Sequence, residues 1–298
     1  MKPTMLALAF AAAALATAPA SAQKDFPTAE AAAQAFRAAT AGFNEPALRD
    51  LFGPDYDRLK SADTAQLREN LARVHKAMQE HITVSPHGPD RATVIIGFEG
   101  WPFPVPLAKA ASGAWRFDPT AGAEEILNRR IGFNELKAIE SLNAYVGAQR
   151  LYAGKPRGDG PVRAFAQKIR STSGKKDGLY WPAKPGEEES PFGPLVPDAA
   201  QRRPGAPYYG YYYRILTAQG PDAPGGAYSY VINRNMVAGF AMIAYPAAHG
   251  NTGVMTFLVN HYGDVYQKDL GPDTAKEAAA IRAYNPGPGW ELALSRRK

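Results

Sequence analysis

No cysteine occurs among the 298 residues. That absence removes thiol nucleophiles, cysteine-ligated zinc and iron–sulfur clusters, and it leaves the chain without disulfide staples. Histidine is scarce too: His75, His81, His87, His249 and His261 include no pair at the i, i+4 spacing of a helical zinc site. After residue 22 no apolar run approaches the roughly 18 residues that a membrane-spanning helix needs. Glycine is plentiful but is not arranged for phosphates. In "STSGKKDG" the pair Gly174-Lys175 lacks the glycine of a phosphate loop five residues earlier, where Ile169 stands. No G-x-G-x-x-G follows a strand, and no G-x-S-x-G elbow nominates a hydrolase serine. "KPRGDGPVRAFA", Lys155 to Ala166, has the frame of a calcium loop with Asp159 and Gly160 in place. Its first ligand positions are Lys155 and Arg157 and its last is Ala166, so cations stand where a cation would bind. No catalytic residue, metal ligand or cofactor is assigned from these patterns.

What is present begins with an address. "MKPTMLALAFAAAALATAPASA" has Lys2, an apolar core from Met5 to Ala16, and the small-x-small site Ala20-Ser21-Ala22. Residues 1–22 read as a secretory signal peptide, which makes the expected location periplasmic or extracellular. No cysteine follows to carry a lipid. The net charge of +6 is scattered in short pairs such as Arg129-Arg130, Lys175-Lys176 and Arg202-Arg203, with Arg296-Arg297-Lys298 at the end. This reads as a solvated surface with a basic tail over 291–298, and no nucleic-acid partner is expected.

The remainder divides into two α+β parts. In residues 23–120, "TAEAAAQAFRAATAG" predicts a helix capped by Thr28, "PALRDLF" a second one stopped by Gly53-Pro54, and "TAQLRENLARVHKAMQEH" a third with Leu67, Leu71, Val74 and Met78 as its stripe. Strands follow at "RATVIIGF", "FPVPLAKA" and "AWRFD", the last two joined by a tight turn at Ser112-Gly113. Ala92, Val94, Ile96 and Phe98 are expected on one face of the first strand. Helices first and a curled antiparallel sheet afterwards make this part similar to the NTF2-like cone. Such cones host acid–base chemistry, for which His75, His81 and Glu99 stand at the edges.

Residues 121–290 open with a long helix, "GAEEILNRRIGFNELKAIESLNAYVGAQRLYAG", with Gly132 as a break, and a shorter helix is expected at "PVRAFAQKIRSTSG". A proline-rich connection, 173–207, reads as a mobile loop. Strands are predicted at "YYGYYYRILTA", "AYSYVI", "VAGFAMIAYP", "VMTFLVN" and "VYQKDL", with turns at 233–235 and 261–264, followed by a helix at "PDTAKEAAAIRAY". A long helix on a four- to five-stranded antiparallel meander resembles the globular part of type IV pilins and pseudopilins. Arg129, Arg130 and Glu135 depart from the apolar helix by which pilins polymerise.

"APYYGYYYRILTAQG" sets five tyrosines in six positions. Strand alternation puts Tyr209, Tyr211, Tyr213 and Ile215 on one face and Tyr208, Tyr212, Arg214 and Leu216 on the other. Tyrosine suits a half-buried sheet, and a row of rings also forms a binding platform; both readings stay open. Gly210 marks a place for close approach by another group.

Along the chain, "WPFPVPLAK", "WRFDPTAGAEEILNRRIGFNELKAI", "KKDGLYWP", "SPFGPL", "GYYYRILTAQG", "APGGAYSYV" and "GVMTFLVN" with "VYQKDLGPDT" resemble the bacterial family of domain of unknown function 2950 (DUF2950). The resemblance implies exported proteins with no established activity, cofactor or catalytic residue. The expectation is therefore a non-enzymatic exported protein that binds an envelope protein or a small ligand. If the connection and the aromatic strands form a groove, Asp177, Tyr180, Trp181, Tyr211 and Tyr213 line it. The alternatives are an exported enzyme with a cavity in the first part, and a structural component of a pilus-like or envelope assembly.

Overall fold

A computed structural model describes residues 23–60, 64–157, 161–193 and 205–294. Residues 1–22, expected as a signal peptide, 295–298 at the end of the basic tail, and 194–204 in the proline-rich connection lie outside the described residues. The chain is mixed α+β with antiparallel sheets and divides into two compact units, 1–126 and 127–298.

Unit 1 starts from alanine. In α1 (Ala29–Thr40) Ala29, Ala32, Ala33, Phe36 and Ala39 recur at helical spacing and are buried, and the Thr28 hydroxyl accepts the Ala31 N–H at 3.1 Å as its cap. In α2 (Glu45–Phe52), capped by Asn44, the helix buries Leu48, Leu51 and Phe52. Gly53-Pro54 stops α2 as expected, with Gly53 as its C-cap, and the chain goes on into a 3₁₀ turn and a further helical turn, α3 (Tyr56–Leu59), because proline fits a first turn. In α4 (Thr64–Glu80) Met78 is buried and Leu71 and Val74 pack beside it. The strands are β1 (Ile82–Pro86), β2 (Arg91–Ile96), β3 (Trp101–Pro102), β4 (Leu107–Lys109) and β5 (Trp115–Phe117), in the order β1-β2-β4-β5 with β3 also on β2. β1 and β3 are additions to the sequence reading. Ala92, Val94 and Ile96 face the core, but Phe98 is 80% exposed: the strand ends at Ile96 and Gly97, at φ 71°, turns the chain away. Phe36 centres the core, with Phe103 at 4.4 Å and Phe52 and Phe117 at under 6 Å between ring centroids.

The helix α5 (Pro119–Tyr152) is continuous through Gly132. One glycine among helix formers costs about 1 kcal/mol, less than a break in a helix that is buried further on. Its buried face in unit 2 carries Ala138, Leu142, Tyr145, Val146, Gln149 and Tyr152. The main sheet joins β6 (Tyr211–Leu216), β11 (Ala241–Pro246), β12 (Met255–Asn260), β13 (Val265–Asp269) and β14 (Glu291–Leu294) in the order β14-β13-β12-β11-β6. Residues 291–294, expected in a tail, are thus an edge strand on β13. "AYSYVI" stays out of this sheet. It supplies β8 (Tyr228–Ser229), paired to β7 (Ala218–Gln219), and β9 (Val231–Ile232), paired to β10 (Asn235–Met236) through a turn with Asn233 and Arg234 at positive φ. α6 (Thr274–Ala280) lies on the face of β6 that carries Arg214, whose Nη2 donates to the carbonyls of Ala278 and Ile281.

The helix expected at "PVRAFAQKIRSTSG" does not form. Its backbone is claimed by long-range partners: Phe165 N–H bonds Met236, Ala166 N–H and C=O both bond the buried Gln149 side chain, and Lys168 and Ile169 carbonyls accept from Leu179 and Tyr180. Residues 173–193, expected as a mobile loop, bury Leu179, Tyr180, Trp181 and Ser190.

Candidate functional site

The tyrosine run splits at its first turn. Tyr208 and Tyr211 exchange both backbone hydrogen bonds, at 2.7 and 3.0 Å, around Tyr209 at φ 45° and Gly210 at φ 72°. A two-residue hairpin of this type needs positive φ at both central positions. Glycine meets that without strain, and at Gly210 a side chain would collide with Thr252 and Asn134. A tyrosine there is strained by about 1–2 kcal/mol.

The strain turns Tyr209 outward. Its ring, 36% exposed, meets Phe133 edge-on at 5.7 Å and 81° and leans on Tyr208 at 4.4 Å. Phe133 and Leu136 on α5 are 51% and 63% exposed, and Lys137 sets its ammonium 5.7 Å from the Phe133 ring. Tyr208 packs inward on the buried Tyr180, with half-buried Phe192, and on half-buried Tyr213. The apolar pair Phe133 and Leu136 lies off the buried face of α5 that carries Leu142 and Val146, and nothing in the sequence reading singled it out.

Of the five residues nominated from sequence, Tyr180 and Tyr213 come together through Tyr208. Tyr211 does not join them. It is fully buried, its hydroxyl donates to the Met255 carbonyl at 2.9 Å, and burial with the nearby Glu135 carboxylate pushes the phenol above its ordinary range. Gly253 is required opposite it, since the Tyr211 Oη occupies the space a Cβ would take. Glu135 in turn accepts the N–H groups of Val254 and Met255, both at 2.9 Å, tying α5 to the start of β12.

Asp177 closes its own loop. It accepts from Thr172 N–H at 2.7 Å, Thr172 Oγ1 at 2.9 Å and Lys168 Nζ at 2.6 Å, and the lysine and those hydrogen bonds bring its pKa down to about 2. Trp181 is buried and donates Nε1–H to the Glu188 carbonyl at 2.9 Å. Above it, Lys155, Arg157 and Lys176 converge on the Glu188 carboxylate at 2.6, 2.8 and 3.1 Å, and these cations bring Glu188 down to about 2. Sequence reasoning missed Glu188 because its partners are 12 to 33 residues away in the chain.

Unit 1 has a cleft of about 330 Å³ beside Gln23, Phe52 and Arg116, and another of about 320 Å³ lined by Thr40, Phe43, Arg68, Leu71 and His75. Thr40 donates its hydroxyl to the Arg37 carbonyl at 2.9 Å. His75 Nδ1, 3.0 Å from Thr40 Oγ1 and 3.2 Å from the same carbonyl, therefore acts as the donor, and its Nε2 accepts from Gln79 at 3.0 Å. A base for nucleophilic attack needs the opposite polarity at the Thr40 oxygen. His81 and Glu99 are exposed, and His81 stacks on Phe98. No group of three or more acidic or histidine side chains suited to a metal occurs among the described residues.

The fold is mixed α+β, and unit 2 carries the exposed aromatic residues Phe133 and Tyr209. The family model for "Protein of unknown function (DUF2950)" matches residues 23–293, nearly the whole chain, and the protein belongs to that family. No curated relative and no solved structure matches it, so neither the NTF2-like nor the pilin-like resemblance gains a structural counterpart.

Proposed function

We propose that this protein is exported and acts as a binding protein, holding a polypeptide partner in the envelope against the aromatic surface of unit 2. The observation that carries the reading is Tyr209: a bulky residue kept in a left-handed turn, beside exposed Phe133 and Leu136, where glycine would relieve the backbone. Strain of this sort persists where a side chain is needed outside. The ring geometry favours a polypeptide over a sugar. Phe133, Tyr209 and Tyr208 meet at 81° and 43°, which gives interlocked knobs and no flat platform for a pyranose face. Exposed aromatic residues with a cation at the rim are the composition of protein interface anchors. The leader at 1–22 supports the envelope location.

A photo-crosslinker at position 136, in cells, tests this. A discrete adduct to another protein is expected, and Tyr209→Gly removes it while leaving the melting temperature intact. Adducts only to a second copy would move the reading to self-association. Adducts unchanged by Tyr209→Gly would refute the aromatic surface.

A further inference from the structure

The Glu188 cluster has more positive charge than a structural staple needs. Arg157 alone would hold the segment. Its side chain is 7% exposed, its guanidinium lies between the Tyr152 and Trp181 rings at 5.0 and 4.9 Å, and its Nε donates to the Tyr152 carbonyl. This is a pre-organised anion donor, planar and fixed from both sides. Lys155 and Lys176 then approach the same carboxylate from two other places in the chain, with Lys176 also over the Trp181 ring at 5.4 Å.

Among the described residues, three cations therefore face one carboxylate. Asp177, next to Lys176 in the chain, is committed to Lys168 and Thr172. Glu187 accepts from its own strap at Lys184 N–H, and Glu189 is exposed. The first two ligand positions of the calcium-loop frame, Lys155 and Arg157, thus present donors where acids would stand.

The geometry points to an anion site for a phosphomonoester, built from Lys155, Arg157 and Lys176 over Trp181, in which Glu188 is the resident occupant. A phosphate dianion supplies more oxygens and a closer charge match than the single carboxylate it replaces. No covalent step is involved. The phosphate takes the three donors, the Glu188 carboxylate goes to water, and the strap from Pro182 to Glu189 loses its tie to the cluster. This site is separate from the aromatic surface and does not depend on it.

Inorganic phosphate titrated into the full chain, against chloride at equal ionic strength, reads the site directly. Glu188→Gln keeps the Trp181–Glu188 backbone bond and removes the competing charge, so it is expected to bind phosphate about tenfold more tightly than the parent. Adding Lys155→Met and Lys176→Met abolishes the gain without touching Arg157. In the parent, phosphate accelerates hydrogen exchange over 182–190 and chloride does not. Vesicles containing phosphatidic acid separate the sources: sedimentation that needs Lys155 and Lys176 assigns the phosphate to a lipid headgroup, and none assigns it to a soluble ligand. The proposal falls if Glu188→Gln gains nothing, if the gain survives loss of both lysines, or if the strap exchanges alike in phosphate and chloride.

Discussion

Unit 1 fills its interior with phenylalanine: Phe26, Phe36, Phe52 and Phe117 are buried there, and Tyr56 is the one buried tyrosine. Unit 2 does so with tyrosine: Tyr145, Tyr152, Tyr211, Tyr230 and Tyr284 belong to its core beside Phe240 and Phe257. Phenylalanine contributes apolar area and edge-to-face contacts, which tolerate small rotations. A buried tyrosine adds a hydroxyl that must be bonded, so it fixes one arrangement of the elements around it. Tyr145 donates to the Ala241 carbonyl at 3.1 Å and accepts from Gln149, Tyr211 donates to Met255, and Tyr230 donates to Gln219. These bonds link α5, the sheet and the ribbons of unit 2 in one register. An irregular segment such as 161–193 can then be held by side chains in place of a helix ladder.

The comparison can be broken at either core. The largest effect is expected in unit 1, where Phe36→Ala removes the ring at the centre of its cluster and costs about 3–5 kcal/mol. The matching change in unit 2 is Gln149→Leu. It keeps the volume but strands the buried N–H and C=O of Ala166 and a bond to Tyr145, a cost of about 2–4 kcal/mol. Denaturant unfolding measures both. Equal tolerance of Gln149→Leu and of a conservative apolar change in unit 1 would erase the distinction.

High pH sharpens it further. Burial raises the phenols of Tyr145, Tyr211 and Tyr230 above the ordinary value of 10.0, while in unit 1 Tyr56 alone is raised. A group whose folded pKa is raised contributes stability that is complete below the unfolded value and is lost as pH rises beyond it. Unit 2 is therefore expected to open first above pH 10, seen as hydrogen exchange that accelerates in β6 and β11 before it does in β1 and β2. Simultaneous opening, or unit 1 leading, would contradict this.

Much of the framework was legible. The alanine stripe with Thr28 specified α1, and the alternating residues from Tyr211 to Leu216 and from Met255 to Asn260 specified strands of the main sheet. What was not legible depends on partners far along the chain. "PVRAFAQKIRSTSG" has a helical pattern, but Gln149 claims the Ala166 backbone across 17 residues. β14 looked like a tail because strand pairing with β13 leaves no local mark. The five nominated residues were chosen by type and proximity. Sequence could not foresee that the turn at Tyr209-Gly210 sends one tyrosine to water and the next but one into the core. Nor could it foresee that Glu188 would meet its cations.

The smallest changes test the central claim, that neighbouring tyrosines of one run have opposite roles. Tyr211→Phe removes a buried bond to Met255 and costs about 1–2 kcal/mol, whereas Tyr209→Gly relieves a left-handed backbone and is close to neutral. The decisive measurement is thermal stability and partner crosslinking from position 136, recorded side by side for these two variants. A lower melting temperature with crosslinking retained for Tyr211→Phe, and the reverse for Tyr209→Gly, is the predicted result; the same response from both variants would contradict it.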